Sequence, residues 1–79
     1  MNALDVQAEF GSAVRFWRKQ RGYSQDALAK RSDLHRTYVS DVERGTRNIS
    51  LQSIVKIADA LEVSIPDLFQ PQPPKNSQT

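Results

Sequence analysis

Apolar residues in the first third of the chain recur at helical spacing. Val6, Phe10, Val14 and Trp17 are separated by four, four and three positions, so they share one face of a helix rather than alternating across a strand. Gly22 can take the left-handed conformation that follows a helix end, and Arg18, Lys19 and Arg21 suit the negative end of the helix dipole. The first helix is therefore expected to stop near Arg21. Three later segments repeat one pattern: an apolar residue, a serine, and an apolar residue four positions past the serine. They are Tyr23, Ser24, Leu28; Ile49, Ser50, Ile54; and Val63, Ser64, Leu68. Each combines an N-cap hydroxyl with the hydrophobic staple that sets the entry angle of a helix. A fourth start has the staple Leu34 and Val39 but carries His35 in the cap position, a poorer acceptor for the first backbone N–H groups. The pattern predicts an all-α fold of five helices.

The central two helices run from Ser24 to Arg31 and from Arg36 to Arg44, and the short link Ser32 to His35 has the length that sets two helices at a large angle. Gly45 ends the second of them. The loop Gly45 to Ile49 leads to a helix starting at Ser50, expected to carry Leu51, Ile54, Val55, Ala58 and Leu61 inward. The last ten residues, QPQPPKNSQT, hold three prolines and no large apolar residue, so they can neither continue a helix nor add to a core. The expected organisation is one domain over residues 1–69 and a disordered tail over 70–79.

A chain of 79 residues supports one hydrophobic core, and that single domain must carry the function. With no cysteine and one histidine, neither a disulfide framework nor a zinc site of cysteine and histidine can form. No cofactor is expected, and so small a core predicts no ligand pocket. No window approaches the ~18 apolar residues that span a bilayer, and the N-terminus lacks a basic stretch followed by an apolar one. These features point to a cytoplasmic protein with no membrane partner.

Charge changes the picture through its distribution. The net charge is only +2, but residues 15–47 hold nine Arg or Lys against four acids, a local net of +5. The flanks are net acidic. The middle of the chain is the candidate polyanion face, with a merely solvated basic surface as the other reading.

Within it, Val39 and Val42 lie three apart and face inward, which turns Arg36, Thr37, Ser40, Asp41 and Arg44 outward. Arg can donate two hydrogen bonds to guanine, Thr offers a hydroxyl and a methyl, and Ser permits close approach. Arg36 and Thr37 occupy the first turn, the end of a reading helix that enters the major groove. Ser24 and Gln25 at the start of the preceding helix, with Arg47 and Asn48 in the following loop, suit the phosphate backbone. Tyr38 has two open readings, a lid over sugar and phosphate or a packing residue. His35 could donate to a phosphate when protonated or serve no special role. Asp41 is repelled by phosphates, yet it could accept from a cytosine amino group or orient Arg36 or Arg44.

The stretch from Gly22 to Phe69 resembles the DNA-binding domain of Xre-type, lambda-repressor-like regulators, the likeness covering about residues 8–69. Ser24-Gln25, Leu28-Ala29, Tyr38-Val39-Ser40 and Glu43-Arg44-Gly45 are the matching pieces, in order and at the family's spacing. Residues His35 to Ser40, Glu43-Arg44 and Arg47-Asn48 are most similar to the controller proteins of restriction-modification systems, which are short and bind their own promoters as dimers. The resemblance implies base contacts by Arg36, Thr37 and Arg47, backbone contacts by Gln25 and Tyr38, and a structural pair between Glu43 and Arg18. His35 and Asp41 depart from the common pattern, which leaves the operator sequence open.

One short helix reads few base pairs, whereas a symmetric pair reads two half-sites about one DNA turn apart. A homodimer is expected, with Ile65, Leu68 and Phe69 as its apolar contact; the alternative is that all three close the core. An enzyme reading lacks parts: the chain has no cysteine, one histidine, no glycine-rich phosphate loop and no identifiable acid pair in an apolar pocket. A rival reading is a protein-binding adaptor or antitoxin built on the same helices. RNA polymerase is a further candidate partner, for which Asp26 and Asp33 are available acids.

Overall fold

A computed structural model describes residues 2–70, the side chains of residues 3 and 4 excepted. The described residues form four α-helices and no strand: α1 (Ala3–Gln20), α2 (Gln25–Ser32), α3 (Arg36–Arg44) and α4 (Leu51–Leu61). A single 3₁₀ turn follows, Pro66–Phe69. The expected five-helix count is thus corrected to four helices and a turn. Pro66 opens that turn and supplies no N–H, and the element is only four residues long. Ser64 and Asp67 still form a reciprocal cap. The Asp67 N–H donates to Ser64 Oγ at 3.3 Å, and the Ser64 N–H donates to Asp67 Oδ2 at 3.2 Å. The expected tail lies outside the described residues beyond Gln70.

Cap chemistry explains the other starts. Ser24 Oγ accepts from the Ala27 N–H at 3.0 Å, and Ser50 Oγ accepts from the Ser53 N–H at 3.1 Å. His35 caps α3 with no side-chain hydrogen bond, as its chemistry predicts. Gly45 ends α3 at φ 75°, whereas α2 and α4 end on Asp33 and Glu62, non-glycine residues held at φ 58° and 59°. The last carbonyls of a helix have no partner within it, and Arg21 supplies one for α4 from across the fold. Its Nε donates to the Leu61 carbonyl at 2.7 Å and its Nη2 to the Glu62 carbonyl at 3.2 Å.

The core is built from Phe10, Ala13 and Val14 of α1, Leu28 and Ala29 of α2, Val39 and Val42 of α3, Ile54, Ile57, Ala58 and Leu61 of α4, and Leu68. Helix α1 packs on α3 and on the 3₁₀ turn, while α2 packs on α3 and α4. Leu51 and Val55, expected to face inward, are 81% and 45% exposed. The buried stripe of α4 is centred on Ile57 and Ile54, and Val55 is rotated about 100° from Ile54; Leu51 belongs to the first turn at the stripe's edge. Leu68, offered as a dimer contact, is fully buried. It closes the core, leaving Ile65 and Phe69 at 41% and 45% exposure.

Candidate nucleic-acid interface

The outward arc of α3 forms because Val39 and Val42 are buried at 0% and 2% exposure and so fix the helix's rotation about its axis. Arg36, Thr37 and Arg44 are exposed, while Ser40 and Asp41 are half-buried between them. A link of three residues, Asp33 to His35, joins α2 to α3, and the left-handed Asp33 makes that tight reversal. Arg36 Nε lies 3.2 Å from Asp26 Oδ1, so the first turns of α2 and α3 stand within side-chain reach. Both partners are about two-thirds exposed; such an open pair contributes little to stability and separates readily.

Asp41 has a different setting. Its side chain is only 20% exposed, and its two oxygens face two guanidinium groups. Oδ1 accepts from Arg44 Nη2, and Oδ2 accepts from Arg47 Nη2 at 3.0 Å. Arg44 also donates from Nη1 to Ser40 Oγ at 3.2 Å. The Arg47 guanidinium lies 4.8 Å from the centre of the Tyr38 ring, a cation–π distance. Tyr38 is itself packed against the core, so it serves as a fixed platform. The loop is further tied to α3 by Thr46, whose N–H and hydroxyl both donate to the Asp41 carbonyl at 3.1 and 3.2 Å.

Behind the arc a second charged group fastens α3 to the body of the fold. Arg18 of α1 donates from Nε to Glu43 Oε2 at 2.6 Å and from Nη2 to Glu43 Oε1 at 3.1 Å, a fork-shaped pair with side chains only 12% and 5% exposed. Arg18 Nη1 reaches the Tyr23 carbonyl at 2.9 Å. Gln25 donates from Nε2 to Glu43 Oε1 at 3.1 Å, so its side chain belongs to this network and links the start of α2 to the end of α3. Ser24 spends its hydroxyl as the α2 cap. Asn48 is exposed beside an open apolar cleft of about 330 Å³ lined by Val6, Phe10, Ile49, Ile54 and Phe69, a hollow that a core of this size was not expected to leave.

The structure therefore brings Gln25 and Arg47 to α3, which carries Arg36, Thr37, Tyr38, Ser40 and Arg44, with Ser24 capping the neighbouring α2; Asn48 lies instead beside the cleft that Phe69 lines, and Ile65 precedes the 3₁₀ turn. Two pairings are not read from the sequence: Asp26 meets Arg36, and Asp41 holds Arg47 in addition to Arg44. Of the two partners the sequence offers Asp41, the structure pairs it with Arg44, three apart on one helix face, while Arg36 turns to Asp26.

Comparison with known proteins places the chain in a family. The helix-turn-helix family model matches residues 14–68. The chain is 51% identical over 66 residues to control protein C.BamHI of Bacillus amyloliquefaciens, covering 82% of each. It is 40% identical over 75 residues to control protein C.SmaI of Serratia marcescens, covering 95% of this chain and 89% of that one. Among solved structures it resembles the restriction-modification controller protein C.AhdI from Aeromonas hydrophila, with a TM-score of 0.78 and 46% identity over 80% of this chain and 96% of the other. No helix among the described residues is long and apolar enough to cross a membrane. A matched helix-turn-helix, a basic arc on its second helix and relatives that are regulators rather than enzymes agree: the chain belongs to the helix-turn-helix family of Xre-like, DNA-binding transcriptional regulators.

Proposed function

We propose that this regulator binds a palindromic operator as a symmetric dimer and controls restriction-modification genes together with its own. The observation that carries the reading is the pairing of an exposed Arg36 and Thr37 in the first turn of α3 with the adjacent start of α2. Arg36 and Thr37 enter the major groove and read base edges, joined by Arg47 at the groove's margin. The first N–H groups of α2, from Ser24 and Gln25 onward, meet phosphate, as do Tyr38, Ser40, Arg44 and Asn48. The relatives' names, controller proteins of restriction-modification systems, support the choice of target genes. Of the two acids considered for RNA polymerase, Asp26 is engaged by Arg36. Asp33, 96% exposed and held only loosely by Lys56 at 3.9 Å, is the freer.

Ile65 and Phe69, 41% and 45% exposed, supply the dimer contact. Phe69 also packs on Phe10, ring centres 5.0 Å apart, so a change there disturbs the fold as well. Ile65→Glu is the cleaner test. It is expected to weaken dimerisation about tenfold or more while leaving the unfolding midpoint of the dilute monomer nearly unchanged, as read by sedimentation and thermal melting; an unaltered dimer constant removes this face.

The regulator reading is tested by gel-shift titration against the DNA upstream of the chain's own gene, at two salt concentrations and with competitor DNA. Salt-sensitive, competitor-resistant binding in two-subunit steps is expected. Arg36→Ala is expected to lose about 1–3 kcal/mol of discrimination between operator and unrelated duplex with no change in stability. Retained discrimination in that variant moves the reading role to another residue.

A further inference from the structure

A carboxylate in the middle of a DNA-facing arc weakens attraction to any polyanion, so its presence calls for a compensating role. Asp41 is enclosed to 20% exposure, and its two oxygens are committed to Arg44 and Arg47. With so little of the carboxylate exposed, its reach toward a cytosine amino group is limited, and its action on DNA runs through the two arginines it holds. The two arginines remain 63% and 42% exposed, and each guanidinium has five N–H donors, so donors are left to face DNA. Each arginine is also held by a second group: Arg44 by Ser40 Oγ, and Arg47 by the Tyr38 ring. One carboxylate thus joins the outer face of α3 to the loop after it and orients two long, otherwise mobile side chains.

Building on the assignment of α3 as the reading helix, we propose that Asp41 is a positioning residue that sets the balance between sequence-specific and sequence-independent DNA binding. It holds Arg44 and Arg47 in the geometry that fits a correct site. It also neutralises one of their two charges, which lowers affinity for arbitrary duplex. Without it the arginines gain conformational freedom and net charge together, and both changes favour indiscriminate phosphate contact over a fixed register.

The test compares the full-length protein with Asp41→Asn and Asp41→Ala. The probes are duplexes enriched by the unsubstituted protein from a random pool, and scrambled duplexes of the same composition. Affinities are measured by fluorescence anisotropy over a range of salt. Both variants are expected to bind scrambled duplex about threefold more tightly and enriched duplex no more tightly, or less so. Preference then falls about tenfold in the alanine variant and less in the asparagine variant, whose amide oxygen can still accept from one arginine. The slope of log affinity against log salt on scrambled duplex steepens by about 0.9 for each arginine freed to meet a phosphate. A residue that merely supported the fold would weaken binding to both probes. Equal preference in all three proteins, or parallel weakening on both probes, overturns the role given to Asp41 while leaving the reading helix intact. If the unsubstituted protein enriches no sequence, the reading helix itself is overturned and Asp41's role with it.

Discussion

Glu43→Ala is expected to destabilise the domain by about 3–5 kcal/mol, enough to leave it partly unfolded at physiological temperature. The carboxylate at 5% exposure accepts three hydrogen bonds, two from Arg18 and one from Gln25. Truncation leaves the Arg18 guanidinium enclosed at 12% exposure with its charge unmatched and only the Tyr23 carbonyl still in reach. The Gln25 amide loses its acceptor at the same time. A domain of this length has a total stability on the order of 4–12 kcal/mol, so the loss is a large part of the whole. Urea titration followed by circular dichroism measures it. Glu43→Gln retains an acceptor oxygen and is expected to lose less. Replacing Arg18 and Glu43 together by methionine removes both charges and is expected to recover most of the stability, because well-packed apolar residues substitute for a buried pair at little cost. A loss of under about 1 kcal/mol in Glu43→Ala, the range of an exposed pair, shows that the network is open to solvent. The DNA-facing consequence is separate: Glu43 lies two turns along α3 from Arg36 and is enclosed where Arg36 and Thr37 are exposed, so the double variant is expected to bind DNA where it folds.

What the sequence makes legible follows how local each feature is. Helix starts at Ser24 and Ser50 are readable because cap and staple both lie within five residues, and the uncapped start at His35 is readable for the same reason. The rotation of α3 follows from two valines three apart. The Arg18–Glu43 pair, by contrast, is supplied by family resemblance; its partners are 25 positions apart, and spacing alone says nothing of them. Asp41 stands out as anomalous in the sequence, with Arg44 among its candidate partners. Arg47 is not among them, because its approach depends on the turn made by Gly45 and Thr46. The 3₁₀ turn marks the other limit. Ile65, Leu68 and Phe69 are equally apolar in sequence, and only the docking of the turn against α1 decides that Leu68 is the one enclosed. Val55 and Leu51 mislead because apolar character does not fix inward direction, and Ile54, Ile57, Ala58 and Leu61 already fill the space beneath α4.

Gly11 lies inside the helical run from Val6 to Trp17, where intrinsic propensity alone favours alanine by about 1 kcal/mol. The structure reverses the sign. Gly11 is buried where α1 crosses α3, and a Cβ there would lie 2.2 Å from the Val42 carbonyl oxygen and 2.8 Å from that of Glu43. Both obstacles are backbone, so neither can rotate aside; the helices must move apart. Separation loosens the packing of Phe10 and Val14 against Val39 and Val42, and it pulls on the Arg18–Glu43 fork that spans the same interface. Gly11→Ala is therefore expected to cost roughly 3 kcal/mol or slightly more, which lowers the melting temperature by about 12–24 °C for a domain of this size. Gly22→Ala is the matched control. At φ 75° it is strained as any non-glycine residue would be, but an added Cβ meets nothing within 4 Å. Its expected cost is only about 1–2 kcal/mol. Calorimetry on the two variants separates steric contact from backbone conformation. A larger loss at Gly22 than at Gly11 means that α1 and α3 can move apart freely. The reading helix would then be held in place by the Glu43 network rather than by close contact with α1.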